Sequence, residues 1–98
     1  MPRAQASARR PCDYCARFPD GPIRKDAPAG VAEVVAVARS IRRRLEDGTP
    51  SLSELARRSG VDRSTIYDLL AGRAWIDVST LARLEAALGT RLWPSSQS

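Results

Sequence analysis

Apolar residues recur at helical spacing from Val31 onward and predict one long amphipathic helix that ends near Glu46. The opposite face of the same stretch is basic. A break follows at once, because Asp47-Gly48-Thr49-Pro50 combines glycine with proline. The apolar positions are Val31, Val34, Val35, Ala38, Ile41 and Leu45, and the basic ones are Arg39, Arg42, Arg43 and Arg44.

Two short helices follow, and each has a start signal and a terminating glycine. Ser51 and Glu54 have the spacing of a capping box, in which the serine hydroxyl accepts from the Glu54 amide and the carboxylate returns to the Ser51 amide. Asp62 is the predicted N-cap of the next helix, residues 63–71. The terminating glycines are Gly60 and Gly72.

A fourth helix is predicted from Asp77 to Gly89, with Ile76 and Leu81 spaced as a hydrophobic staple across its cap. The chain then closes with Thr90-Arg-Leu-Trp-Pro94, where Leu92 and Trp93 either cap the core or form a dimer contact. Every predicted element is helical. The fold class is therefore all-α: a compact domain of four to five helices.

The first thirty residues have a different character. They contain five of the seven prolines, and no apolar period survives there for two helical turns. We therefore divide the chain into a flexible or irregular N-terminal arm (residues 1–30), a helical domain (31–94) and a short C-terminal tail (95–98).

The two short helices meet the geometric demands of a helix-turn-helix. Because the helices of this motif cross closely, the first must carry a small residue, and Ala56 provides it. Four positions later the turn requires a residue that tolerates positive φ, which is Gly60. Apolar side chains must fill the angle between the helices, and Leu55, Val61, Ile66 and Leu69 stand at those positions.

With these matches, the stretch Leu52 to Gly72 resembles the helix-turn-helix of the phage repressor and Cro (XRE-like) family, and the resemblance extends over about residues 31–93. The resemblance implies that the second helix of the motif lies in the major groove of double-stranded DNA and reads base edges. It also implies a homodimer on a palindromic operator. The expected function is that of a small bacterial or phage transcriptional regulator of the repressor type.

The third predicted helix carries the candidate base-reading residues Arg63, Ser64, Tyr67 and Asp68, which share one arc of a helical wheel opposite Ile66, Leu69 and Leu70. Arginine can bond bidentately to guanine, serine donates or accepts, and aspartate accepts from the cytosine amine. Tyrosine can contact a thymine methyl or a phosphate. The alternative is an ordinary solvated helix face, with Asp68 holding an arginine in place.

Four further residues are candidate phosphate contacts. Ser51 and Ser53 lie at a capped helix start, where free amides and the positive end of the helix dipole suit an anion. Arg73 follows the third helix, and Arg43 represents the basic face of the first. For the arginines, a solvated surface remains the alternative. The formal net charge of +5 fits a polyanionic partner.

Cys12 and Cys15 have C-x-x-C spacing, which allows several interpretations. Zinc requires four ligands, and the chain offers two cysteines and no histidine, so a metal site would need a second chain to contribute the same pair. Redox sensing is a further alternative, and a chance arrangement with no major role is the simplest.

The sequence contains no catalytic set, no cofactor motif and no apolar stretch long enough to span a membrane, so we expect neither an enzyme nor a cofactor. Met1 to Arg10 lacks the apolar segment of a secretory signal, which predicts a cytoplasmic, nucleoid-associated protein. Two other functions remain open. One is an antitoxin that binds a toxin and represses its own operon, and the other is a protein-interaction adaptor that does not read DNA.

Overall fold

The computed structural model describes residues 9–48 and 50–94. Four helices follow one another: α1 (Val31–Glu46), α2 (Leu52–Ser59), α3 (Arg63–Ala71) and α4 (Val78–Leu88). A 3-10 turn at Pro11–Tyr14 precedes them, and the described residues contain no strand beyond an isolated antiparallel bridge between Cys15 and Ile23. The predicted all-α class is confirmed, with four helices. The predicted C-terminal tail and the first eight residues of the arm lie outside the described residues.

The capping signals of the sequence are realised in part. Ser51 Oγ accepts from the Glu54 amide at 3.1 Å, and Asp77 Oδ1 accepts from the Thr80 amide at 2.7 Å, so α2 and α4 begin as predicted. Within the described ranges the return bond of the capping box does not form, because the Glu54 carboxylate instead lies 3.3 Å from Arg58. Asp62 is the N-cap residue of α3, as predicted, but it makes no side-chain capping bond, because its carboxylate accepts from the Ser64 hydroxyl and from no backbone amide of α3.

The main core is built from one side of each helix. Helix α1 packs against α3, while α2 packs against both α3 and α4. Removing so many aliphatic side chains from water is the main source of stability in a domain of this size. The buried residues of this core are Val34, Val37, Ile41, Leu55, Val61, Ile66, Leu69, Leu84 and Leu92. Leu45, predicted as the last core position of α1, is half-buried against them.

Residues 9–30, here called the N-terminal segment, fold back on the helical body. Cys15 is buried with Val31 and Val35 of α1 in a second, smaller cluster, which Tyr14 and Phe18 help to cover. The guanidinium Nε of Arg39 donates to the Pro19 carbonyl at 3.0 Å and so joins the segment to α1 a second time. The described part of the predicted arm is therefore a packed layer on the helices, although it contains no α-helix.

Candidate nucleic-acid interface

The turn between α2 and α3 is fixed by backbone geometry and by one hydroxyl. Gly60 adopts φ +73°, in the left-handed region, and its amide donates to the Ala56 carbonyl at 2.9 Å. Ser59 Oγ then accepts from the amide of Val61 at 3.1 Å, and the Val61 side chain enters the core. Ser59 is thus a turn-forming residue.

The two faces of α3 differ sharply in exposure. Ile66 is 0% and Leu69 3% exposed on the inner face. On the outer face Arg63, Ser64 and Tyr67 are exposed, and Asp68 is half-buried at its edge. The structure therefore places the four predicted base-reading residues on one surface that is open to solvent, supported from behind by the core.

The start of α3 leaves Arg63 available. Among the described residues Arg63 takes part in no ion pair. The neighbouring Ser64 hydroxyl donates to the Asp62 carboxylate, so its oxygen still has lone pairs that can accept from a ligand. A guanidinium with five donors on an exposed helix face has the chemistry to recognise guanine or phosphate.

Asp68 and Arg73 engage each other at the far end of α3. Arg73 Nε lies 3.1 Å from Asp68 Oδ1, and both side chains are about half-exposed. The structure thus brings a candidate base-reading residue together with a candidate phosphate contact. Of the two interpretations that the sequence left open for Asp68, this pair favours the one in which the carboxylate holds an arginine, and the arginine is Arg73.

The remaining phosphate candidates occupy two separate places. Ser51 and Ser53 are exposed at the start of α2, and Ser51 Oγ already accepts from Glu54. Arg43 borders one shallow depression with Arg39 and Arg42 and another with Arg91 and Trp93. Neither depression includes a residue of α2 or α3, so Arg43 shares neither of them with the other candidates.

The two cysteines lie in different environments. Cys15 is 5% exposed, and its Sγ donates to the Gly21 carbonyl at 3.2 Å, whereas Cys12 is half-buried. A zinc site shared between two chains needs both thiolates at the surface, and the packing of Cys15 does not favour it. The described residues also contain no group of three or more potential metal ligands.

The N-terminal segment contributes contacts to the site that the sequence analysis missed. The Cys12 amide donates to the Gly72 carbonyl at 2.9 Å, and Trp75 Nε1 donates to the Arg9 carbonyl at 3.0 Å. In both bonds the partner residue lies in the connection between α3 and α4. No local periodicity signals them, because the partners lie about sixty positions apart in sequence.

The end of the chain is held by one carboxylate. Glu85 Oε2 accepts from the amides of Leu92 and Trp93 at 2.7 and 3.0 Å. The bond from Trp93 lowers the pKa of Glu85 most, and the bond from Leu92 lowers it further. Leu92 is buried in the core while Trp93 is 48% exposed. Of the two alternatives for this pair, Leu92 caps the core and Trp93 remains free for a contact.

Comparison with known proteins is consistent with this geometry. A sequence model described as helix-turn-helix matches residues 41–92, which is more than half of the 98-residue chain. The matched range includes α2, the turn and α3, and it begins after the N-terminal segment. Neither a curated protein nor a solved structure gave a match. None of the helices in the described part of the chain is long and apolar enough to cross a membrane.

Proposed function

Because the chain belongs to the helix-turn-helix family of the Cro/C1 (XRE) type, a family of DNA-binding regulators, we propose that it is a sequence-specific transcriptional repressor. Helix α3 reads the major groove of double-stranded DNA. The observation that carries the proposal is the contrast between the two faces of α3, with Ile66 buried and Arg63 and Tyr67 exposed. A repressor that occupies its operator acts in the cytoplasm, where the DNA is.

Base recognition is assigned to the first turns of α3. Arg63 binds the O6 and N7 atoms of a guanine, because its guanidinium offers two parallel donors and has no ion-pair partner among the described residues. Ser64 accepts from or donates to a neighbouring base edge. Tyr67, which is 51% exposed, packs on a thymine methyl or donates to a phosphate. Asp68 acts through Arg73.

Phosphate binding is assigned to the elements that flank α3. The exposed start of α2 offers Ser53 and free backbone amides at the positive end of the helix dipole, which attracts an anion. Arg73 supplies a cation at the opposite end of α3. These contacts set the register of the protein on the duplex, and the base contacts supply the sequence preference.

The functional unit in this proposal is a homodimer. Trp93 is 48% exposed at the end of the folded chain, next to Arg43 and Arg91, and exposed tryptophan and arginine are the residue types enriched at protein interfaces. We place the dimer contact there. Sedimentation of Trp93→Ala should then show a monomer at concentrations where the unaltered chain is dimeric. An unchanged dimer would place the contact elsewhere.

The test of the function is selection from a random double-stranded DNA library at near-physiological salt. We expect an inverted repeat whose half-sites lie about one helical turn, roughly 34–36 Å, apart, as a symmetric dimer requires. A library that shows no enrichment would overturn DNA reading. The same fold would then have to serve as an antitoxin or an interaction adaptor, for which a protein partner is the next search.

A further inference from the structure

The N-terminal segment meets the body of the protein at the end of α3. The Cys12 amide donates to the Gly72 carbonyl at 2.9 Å, and the Phe18 ring lies so close to Gly72 that a Cβ there would be 2.7 Å from two ring carbons. The Trp75 indole donates to the Arg9 carbonyl at 3.0 Å. These three contacts fix the start of the N-terminal segment against Gly72 and Trp75.

This position is close to DNA if α3 occupies the major groove. The groove is about 12 Å wide, and a helix of nine residues is about 13 Å long, so both ends of α3 come within reach of a phosphate strand. The C-terminal end of a helix carries negative partial charge and repels phosphate on its own. A cation close to that end is therefore needed if the backbone of the DNA passes it.

Arginines lie in both chain segments that meet at the end of α3. Arg73 follows Gly72 directly, and Arg9 and Arg10 are exposed on the segment that lies against Gly72 and Trp75. Among the described residues Arg9 takes part in no ion pair. The acidic residues beside these arginines are Asp13 and Asp68, which pair with Arg10 and Arg73.

Those two ion pairs do not remove the arginines from use. The Arg10–Asp13 pair is long, at 3.6 Å, and the arginine side chain is 51% exposed. The Arg73–Asp68 pair is about half-exposed as well. Exposed pairs of this kind are weak, so a phosphate can replace either carboxylate as the partner of the guanidinium.

We propose that Arg9 and Arg10 form a second DNA-binding element, which grips the phosphate backbone beside the C-terminal end of α3. The inference rests on the proposed function and adds to it a contact from outside residues 41–92, the range that matches the family. In this account the N-terminal segment has two roles. It packs on the end of α3, and it delivers two guanidinium groups to the strand that α3 approaches.

The test measures how strongly DNA binding depends on salt. Each phosphate contact releases counterions, so affinity decreases as salt increases. The magnitude of the slope of log affinity against log salt concentration decreases by about 1 for each phosphate that a variant no longer binds. For the full chain on the operator duplex recovered by selection, we expect Arg9→Ala/Arg10→Ala to reduce the slope by about 2 for each subunit. The preference between bases should not change. The Arg9 carbonyl that binds Trp75 is retained in this variant.

The matched control is Arg24→Ala/Lys25→Ala, which removes two charges from the same segment. Arg24 lies over the Tyr14 ring, on the side that covers α1, and should stay clear of the DNA. We expect the control to leave the slope nearly unchanged. Equal slopes for both variants would mean that only net charge matters, and an unchanged slope for Arg9→Ala/Arg10→Ala would overturn the inference while leaving the function intact.

A second variant tests the placement of the segment. Trp75→Phe keeps an aromatic ring and removes the donor to the Arg9 carbonyl, so Arg9 and Arg10 are held less firmly. We expect a reduced slope with unchanged base preference. The combined variant should have the same slope as Arg9→Ala/Arg10→Ala alone, because Trp75→Phe acts only through these two arginines. Full additivity would contradict the proposed positioning. Absence of any DNA binding by the unaltered chain would overturn the proposed function and this inference together.

Discussion

The helical body (residues 31–94) and the N-terminal segment (residues 9–30) are stabilised by different kinds of contact. The body buries aliphatic side chains that recur at helical spacing, from Val34 to Leu92. The segment has no α-helix and is held by a small apolar cluster around Cys15 and by backbone bonds to distant residues, among them Gly72. Local periodicity therefore predicts the body, and only the tertiary structure explains the segment.

The stability of the body is expected to depend most on its aliphatic core. Ile66→Ala removes a side chain that is 0% exposed, and such truncations cost about 2–5 kcal/mol of unfolding free energy. Chemical denaturation followed by tryptophan fluorescence measures the loss. The control is Thr65→Ala on the exposed side of the same helix, which should stay within about 0.5 kcal/mol. Equal effects at the two positions would contradict the placement of α3.

Two glycines with the same backbone conformation allow the contribution of the N-terminal segment to be measured apart from that of the body. Gly60 and Gly72 both have φ +73°, but a Cβ at Gly60 meets nothing within 4 Å, whereas one at Gly72 meets Phe18 and Cys12. Gly60→Ala should cost about 1–2 kcal/mol for the left-handed backbone alone. Gly72→Ala should cost about 1–3 kcal/mol more, because it is also overpacked. Equal losses in a denaturation series would mean that the segment does not lie against α3.

Removal of the Phe18 ring should relieve part of that overpacking. In a double-mutant cycle, Phe18→Ala and Gly72→Ala are expected to couple by about 0.5–3 kcal/mol, with the pair less damaging than the sum. The cycle with Gly60→Ala serves as the control, because Gly60 has no neighbour that Phe18 can relieve. Strict additivity in both cycles would mean that the N-terminal segment does not pack against the end of α3.

The smallest expected effect on stability concerns the C-terminal end of the body. Because backbone bonds from Trp93 and Leu92 lower the pKa of Glu85, its ionised form stabilises the fold at neutral pH. That contribution is fully present above the ordinary glutamate pKa of about 4.3 and is lost progressively as the pH falls through the lower pKa of the folded state. Glu85→Gln should therefore be less stable than the unaltered chain at pH 7, and the difference should shrink on acidification. A difference that does not shrink at all on acidification would show that charge is not its source.

Most of the body could be predicted from the sequence. The bounds of α1, the glycines that end α2 and α3, and the exposed face of α3 all follow from spacing and capping chemistry. Asp62 occupies the predicted N-cap position of α3 but does not make the side-chain bond expected there. Its carboxylate had two possible donors nearby, the backbone amides of α3 and the Ser64 hydroxyl, and it accepts from the hydroxyl. Sequence spacing does not rank such competitors.

The site was less predictable than the fold. Exposure of Arg63 and Tyr67 follows from the helical wheel, but the Asp68–Arg73 pair crosses the end of α3, where helical spacing no longer applies. Arg43 borders two depressions that include no residue of α3, a placement that depends on the tertiary packing of α1. The contacts of Arg9 and Cys12 depend on chain reversal over about sixty residues, which no local signal encodes.

The central claim is that α3 reads bases, and the most direct test is a comparison of Arg63→Ala with Arg73→Ala on operator variants changed one base pair at a time. If Arg63 binds a guanine, Arg63→Ala should lose about 1–3 kcal/mol of discrimination at one base pair and keep its discrimination at the other base pairs. Arg73→Ala should weaken binding to every variant by the same factor. Uniform loss for Arg63→Ala as well would contradict the claim, because Arg63 would then contact phosphate alone.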